Sequence, residues 1–157
     1  MKLYNKIIFV CDSGTCHSAM AEAIMKEYRL KYPVEIESRG LVVLFPEPMN
    51  QKAEAVMISN GLKPEGFMSE QITEEDITDT TLILTMSEES RQKIFELFPN
   101  VEKEDVAVLT EFVGDELEIL NPYGGNLQAY GICYETLNKS IKKLVKILNE
   151  GEEVCQK

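Results

Sequence analysis

The sequence has few cysteines, no long apolar run and a shortage of basic residues. Its four cysteines, Cys11, Cys16, Cys133 and Cys155, are too few and too unevenly spaced for the disulfide framework of a small secreted domain. No apolar run approaches the roughly 18 residues of a membrane-spanning helix, and the N-terminal residues lack the pattern of a secretion signal. We therefore expect free thiols and a cytoplasmic protein with no membrane partner.

The shortage of basic residues also limits the partners. Lys and Arg number 16 against 27 Asp and Glu, which gives a formal net charge of -11. Nucleic acids and acidic lipids bind surfaces with a positive field, so no nucleic-acid partner is expected. A small anion remains a possible ligand, because charges are screened over about 8 Å at physiological salt and a local group of amide donors outweighs distant carboxylates.

The length and composition are those of one ordinary globular domain. The chain has 157 residues, of which 44% are hydrophobic and 27% charged, enough to bury a core but too few for two domains. We predict a single domain over residues 1–150 and a frayed C-terminal tail over residues 151–157.

Short apolar runs alternate with segments of helical periodicity. Strands are predicted at residues 6–10, 34–38, 81–85 and 106–109, and helices at residues 18–32, 50–60, 87–98 and 127–149. Ser18 is the predicted N-cap of the first helix, and Pro33 its predicted end. This alternation predicts an α/β fold, with a four-stranded parallel sheet flanked by helices in three Rossmann-like layers and the first strand at its centre. Ligands of such sheets bind beyond the carboxyl ends of the strands.

The segment VCDSGTCHSAM, from Val10 to Met20, joins the first strand to the first helix. Such a turn directs backbone amides inward, where they bind an anion at the helix N-terminus, and Gly14 provides a residue that tolerates positive φ. The amide dipoles favour the thiolate of a cysteine at the start of this turn, which predicts Cys11 as a nucleophile. Alternatively, Cys11 simply fills space beneath the edge of the sheet.

This segment resembles the phosphate-binding loop of the low-molecular-weight protein tyrosine phosphatases, in which a cysteine and five further residues precede an arginine and a serine. Later segments resemble the family in the same order: EPMNQKAEAVMISNGL, SEQITEEDI, LILTMSEESRQKIFELFP and NPYGGNLQAYGICYETL. The resemblance covers nearly the whole chain and implies the same four-stranded parallel sheet. No cofactor and no metal are expected.

The resemblance also implies roles for the residues of the loop. Cys11 matches the nucleophile that forms a phosphocysteine, Ser18 the hydroxyl that stabilises the thiolate, and Cys16 a second cysteine able to form a reversible disulfide with the first. The phosphate-binding residues would be Asp12, Ser13, Gly14, Thr15, Cys16, His17 and Ser18. The implied partners are a phosphorylated protein or a small phosphomonoester, with phosphate or sulfate as the oxyanion in the loop.

Two catalytic positions depart from the family pattern. His17 stands where the family has arginine, and Asn121 stands where it has the aspartate general acid. Imidazole does not reproduce the bidentate grip of a guanidinium. We expect it to carry a proton mostly below about pH 6.5, unless a bound anion or Asp12 raises that value. The Asn121 amide can donate a hydrogen bond to a leaving oxygen but not a proton. Alternatively, His17 caps the helix or bonds a backbone carbonyl, and Asn121 is a turn residue before Pro122.

These features leave three functions open. The first is a cysteine-dependent phosphatase with weakened activity, and the second is a pseudophosphatase that binds phosphate or a phosphoprotein without turnover. The third is a redox sensor that uses the Cys11 and Cys16 pair. Thr15 and the NPYGG segment resemble the bacterial protein arginine phosphatases, which adds phosphoarginine as a candidate substrate.

Overall fold

A computed structural model describes residues 2–156, with the side chains of residues 2–150. The strands are β1 Lys6–Cys11, β2 Glu35–Gly40, β3 Thr81–Thr85 and β4 Val106–Val108, and the helices are α1 His17–Met25, α2 Gln51–Ser59, α3 Glu88–Leu97, α4 Leu109–Val113 and α5 Leu127–Gln156. Two 3-10 turns occupy Glu74–Asp76 and Lys103–Asp105. The predicted frayed tail lies outside the residues whose side chains are described.

The four strands form one parallel sheet in the order β2-β1-β3-β4. The central strand β1 pairs with β2 on one side and β3 on the other, so Ile7 lies between Ile36 and Leu82. Residues 7–10 of this strand have no solvent exposure, as expected for a strand with neighbours on both sides and helices over both faces. The predicted α/β fold and the central place of the first strand are confirmed.

Helices cover both faces of the sheet. Ile7 and Phe9 belong to a hydrophobic cluster that includes residues of α1, α2, α4 and α5. Ile8 and Val10 point to the other face, where they share a second cluster with Ile94 of α3. This alternation follows from the two-residue period of a strand and gives the predicted three layers.

The first helix differs from its prediction at both ends. It ends at Met25 rather than near Pro33, because the next amides, those of Glu27 and Tyr28, bond to carbonyls three residues back and tighten the chain into turns. Ser18 is not the N-cap. The residue before the helix is Cys16, whose side chain makes no capping hydrogen bond.

The region after the third helix also differs from its prediction. The fourth strand ends at Val108, and Leu109, predicted as its last residue, instead begins the short helix α4. The continuous apolar sequence VAVL has no periodicity that separates a strand end from a buried helix start. The other strands and helices lie within two residues of their predicted bounds, apart from the end of α5.

Candidate active site

Cys11 is the last residue of β1 and lies at the carboxyl edge of the sheet. It pairs with Gly40 of β2, and its carbonyl accepts a hydrogen bond of 3.0 Å from the Leu41 N–H. The residue is only 2% exposed. Strand β2 lies on one side of β1 and β3 on the other, so the strand order changes direction at β1. Open α/β sheets bind ligands at this position, beyond the carboxyl ends of the strands.

A hydroxyl from α1 lies directly beside the Cys11 thiol. Ser18 is the second residue of that helix, and its Oγ is 2.8 Å from the Cys11 Sγ. Ser18 is fully buried, so water does not compete for its hydroxyl. This hydroxyl can donate a hydrogen bond to a thiolate.

The loop between Cys11 and α1 is held by close backbone approaches. Gly14 has φ of 74°, and a Cβ on this residue would lie 2.8 Å from the Gly40 N. A Cβ on Gly40 would in turn lie 2.7 Å from the Ser13 carbonyl oxygen. The Asn50 N–H donates to the Thr15 carbonyl at 3.0 Å, so β2 and the start of α2 together fix the shape of the loop.

Most backbone donors of this loop are unpaired. Within the described residues, no protein acceptor bonds the N–H groups of Ser13, Gly14, Cys16, His17 or Ser18. The Thr15 N–H bonds the Ser13 Oγ at 3.3 Å. Five donors at the N-terminus of a helix, where the helix dipole is positive, form an arrangement suited to a tetrahedral oxyanion.

His17, the first residue of α1, is a neutral buried side chain. It is 5% exposed, and its Nδ1 is enclosed without a partner among the described residues. Burial lowers its pKa to about 4, although the Asp12 carboxylate opposes this shift. This pKa lies below the value near 6.5 expected for the loop without a bound anion, and the alternative that His17 caps the helix is wrong, because the N-cap is Cys16.

A cation that the sequence analysis did not identify lies near the loop. The Lys93 Nζ of α3 is 4.0 Å from the exposed Asp12 carboxylate. Asp12 follows the nucleophile directly, so Lys93 partly neutralises the negative charge nearest to Cys11. No local pattern marks this lysine, because its proximity depends on the order of the strands.

The second loop cysteine is buried behind the first. Cys16 is 2% exposed, and its Sγ lies 3.8 Å from the Tyr130 Oη of α5. Burial raises the pKa of the Cys16 thiol and raises the pKa of Cys133 to about 12. Cys11, Cys16 and Cys133 are all free thiols.

Asn121 lies in an exposed segment before α5. Its Oδ1 accepts a hydrogen bond of 3.1 Å from the Tyr123 N–H, the geometry of a turn residue before Pro122. The described structure shows no hydrogen bond between Asn121 and residues 11–18. Residues 11–18 thus share one loop and helix start, and no hydrogen bond among the described residues joins Asn121 to them.

Two kinds of feature are absent from the described residues. No group of three or more His, Cys, Asp or Glu side chains there is arranged to hold a metal ion. None of the helices in that part of the chain is long and apolar enough to cross a membrane. The arrangement around Cys11 thus consists of a thiol, one adjacent hydroxyl and unpaired amides.

A thiol at the end of a central parallel strand, followed by a loop of unpaired amides and a helix, is typical of the cysteine-based phosphatase class of α/β protein. Residues 6–154 match the family model described as low molecular weight phosphotyrosine protein phosphatase. The chain belongs to this family.

Relatives and solved structures agree with this assignment. The chain is 34% identical over 143 residues to the low molecular weight protein-tyrosine-phosphatase PtpB of Staphylococcus aureus, covering 91% of this chain and 99% of the relative. It is 31% identical over 139 residues to PtpB of Staphylococcus haemolyticus, covering 88% and 96%. The structure of the YwlE arginine phosphatase from Geobacillus stearothermophilus superposes with a TM-score of 0.87 at 29% identity, covering 96% of each chain.

Proposed function

We propose that this protein is a cysteine-dependent phosphatase that hydrolyses phosphomonoesters or related phosphoryl compounds through a phosphocysteine on Cys11. The observation that carries the proposal is the 2.8 Å contact between the Cys11 Sγ and the Ser18 Oγ. It lies in a loop with five backbone N–H groups that have no acceptor in the part of the protein that the structure describes. Cys11 supplies the nucleophile, and the loop amides of residues 13–18 receive the phosphoryl oxygens.

The reaction needs two steps at the same sulfur. The Cys11 thiolate attacks phosphorus, the bond to the leaving oxygen or nitrogen breaks, and the leaving group takes a proton from water or another donor. Water then attacks the phosphocysteine, which releases phosphate and regenerates the thiolate. The Ser18 hydroxyl stabilises the sulfur as it becomes the leaving group in this second step.

The activity proposed here is weakened. The His17 imidazole is neutral at physiological pH, so it offers at most one hydrogen bond and no positive charge to the transferring phosphoryl group. Asn121 does not donate a proton. Loss of a positioned donor costs about 10²- to 10³-fold and loss of a general acid about 10²- to 10⁴-fold. Aryl phosphates depend least on an acid, since their leaving groups are stable anions.

The proposed substrate is a phosphorylated protein side chain, either phosphotyrosine or phosphoarginine, or a small phosphomonoester. The names of the relatives support both side chains, because PtpB is a protein-tyrosine-phosphatase and YwlE an arginine phosphatase. Thr15 favours phosphoarginine through the resemblance to that bacterial subgroup. The free thiols of Cys11, Cys16 and Cys133 are consistent with the reducing cytoplasm proposed for this protein.

Hydrolysis of an aryl phosphate by the purified protein tests the proposal. Wild type should release phenolate, Cys11→Ser should abolish the release, and Cys155→Ser is the control that removes a cysteine from the end of the chain. Equal rates for wild type and Cys11→Ser would refute a reaction at this sulfur.

A phosphate-binding pseudophosphatase is the second candidate, and the neutral His17 together with the exposed turn at Asn121 favours it. It predicts that phosphate binds wild type in calorimetry while no phenolate is released. The third candidate, a redox pair of Cys11 and Cys16, predicts a crosslink under mild peroxide. Burial of Cys16, which raises the pKa of its thiol, disfavours that pair.

A further inference from the structure

The anion loop contains no permanent cation. Residues 11–18 include neither lysine nor arginine, and their one basic side chain is that of His17, which is the only histidine of the chain. Lys93 of α3 lies 4.0 Å from the Asp12 carboxylate, so part of its charge is already neutralised by that carboxylate. A dianionic phosphoryl group in this loop therefore meets amide dipoles, but no permanently charged residue of the loop, in a protein whose net charge is -11.

The His17 side chain is buried and lacks a hydrogen bond at one ring nitrogen. It is 5% exposed, and its Nδ1 has no partner among the described residues. Buried polar atoms are ordinarily paired, so packing alone does not explain an unpaired imidazole at this position. Since no hydrogen bond to Nδ1 fixes the tautomer, the protonation of the ring depends on the charges around it.

Asp12 is the charged group, within the described residues, that shifts the protonation of this ring. Its carboxylate favours the protonated form, but burial outweighs it and lowers the pKa of His17 to about 4. Burial also raises the pKa values of the Cys16 thiol, the Cys133 thiol and the Tyr130 hydroxyl, so these groups stay protonated near neutral pH. The other elements beside α1 and the loop carry further charged or titratable side chains, among them Cys11 of β1, Arg39 of β2, Lys52 of α2 and Lys93 of α3.

An anion in the loop would lie close to the His17 ring in any rotamer. The backbone N–H groups of His17 and Ser18 belong to the loop and have no protein acceptor within the described residues. The ring nitrogens of a histidine lie at most about 6 Å from its own backbone nitrogen, and an oxygen bonded to that nitrogen lies about 2.9 Å away. The anion and the ring are therefore separated by roughly 5–9 Å, comparable with the screening length of about 8 Å at physiological salt.

The field of a dianion at this distance is strong enough to charge the ring. At about 7 Å, with an effective dielectric constant of about 20–40, a dianion favours the protonated imidazole by roughly 10²- to 10³-fold. This opposes the effect of burial and moves the titration of His17 back toward the ordinary range of an imidazole. The ring of the occupied loop then stays largely neutral near physiological pH, which agrees with a weakened phosphatase, and becomes charged in mildly acidic solution.

We propose that the loop takes up an oxyanion dianion together with one proton, which moves from solvent onto the His17 imidazole and gives the site the cation that its sequence lacks. The N–H bond on the ring is the only covalent bond that forms, and no redox partner is needed. The proposal rests on the anion site of the proposed function, but not on hydrolysis. Phosphoryl ligands should therefore bind more tightly as the pH falls.

Titration of the full-length protein with sulfate, followed by NMR of the histidine ring, tests this coupling. Sulfate stays a dianion in mildly acidic solution, and the single histidine gives one ring signal to follow. At about pH 5 and constant ionic strength, the ring should be mostly neutral in the free protein and mostly protonated in the sulfate-saturated protein. Saturable sulfate binding without a change in ring protonation would overturn the proposal and leave the anion site intact. Absence of sulfate binding at every pH would overturn the anion site as well.

Two variants identify the group that takes the proton. From about pH 7.5 to about pH 5, the affinity for sulfate should rise about tenfold more in wild type than in His17→Gln, whose amide keeps a donor but does not titrate. Cys11→Ser should keep the wild-type pH dependence, because it removes only the thiol beside the anion. A dependence retained in His17→Gln, or lost in Cys11→Ser, would assign the proton to another group and overturn the proposal. The ring signal of wild type decides the question if His17→Gln does not fold.

Discussion

Burial around His17 explains why this residue does not replace an arginine. A guanidinium stays charged in almost any environment, whereas an imidazole loses its proton when burial removes hydration. Here burial outweighs the attraction of Asp12 and lowers the pKa of His17 to about 4. The residue type at position 17 is read directly from the sequence, but its charge is not, because its charge depends on packing that only the fold specifies.

Restoring the arginine and the aspartate of the family pattern should increase the activity. The double change His17→Arg with Asn121→Asp should raise kcat/KM for an aryl phosphate by at least about 10²-fold, because it returns a bidentate cation and an acid. His17→Arg with Asn126→Asp is the matched control, since Asn126 only caps the start of α5. An unchanged rate in the first variant would show that the loop itself no longer supports catalysis.

The second residue-scale prediction concerns stability against pH. The pKa of His17 falls from 6.5 in the unfolded chain to about 4 in the fold, so between these values the unfolded chain binds more protons. Folding stability linked to His17 is fully present above pH 6.5 and decreases toward pH 4, by about 3 kcal/mol. Relative to His17→Gln, the wild-type free energy of unfolding in urea should therefore fall over this range. A difference independent of pH would contradict the burial of a neutral imidazole.

At the scale of elements, the loop depends on how closely β1, β2 and α1 approach one another. The order and type of the long helices and of all four strands follow from hydrophobic periodicity in the sequence. The end of α1 and the start of α4 do not follow, because tight turns after Met25 and a continuous apolar run through Leu109 leave no local signal. The close approach of the Gly14 and Gly40 backbones also depends on the sheet, which brings these two distant glycines together.

Substitution of Gly14 tests its close approach to Gly40. Gly14→Ala should destabilise the fold and abolish activity, because it adds a Cβ at 2.8 Å from the Gly40 N to a residue with φ of 74°. Gly61→Ala is the control, with φ of 84° but no atom within 4 Å. The control should cost only about 1–2 kcal/mol of backbone strain, and Gly14→Ala about 1–3 kcal/mol more. An equal loss of the free energy of unfolding in Gly14→Ala and Gly61→Ala, measured by thermal or urea unfolding, would argue against the close approach.

At the scale of the whole molecule, a strongly acidic protein binds an anion. The net charge of -11 repels a phosphorylated substrate at long range, whereas the loop amides attract it only at close contact. The sequence shows this total charge, yet it does not show that Lys93 of α3 lies beside Asp12. That contact requires the order of the strands, because α3 follows β3.

The net charge should make the rate on a charged substrate depend on the salt concentration. Sodium chloride added from about 10 mM to about 150 mM should raise kcat/KM for a dianionic aryl phosphate by a few-fold, because it screens the overall repulsion. A phosphopeptide with several lysines should show the opposite trend. If the rate on the aryl phosphate instead falls with salt, the local field of Lys93 outweighs the net charge.

The most direct test of the anion site at Cys11 is a crystal structure of the protein grown with phosphate or sulfate. We expect one tetrahedral anion above the Cys11 Sγ, with its oxygens within hydrogen-bond distance of the amides of residues 13–18. An anion-free loop whose N–H groups point away from the sulfur, at a phosphate concentration that saturates related sites, would contradict it.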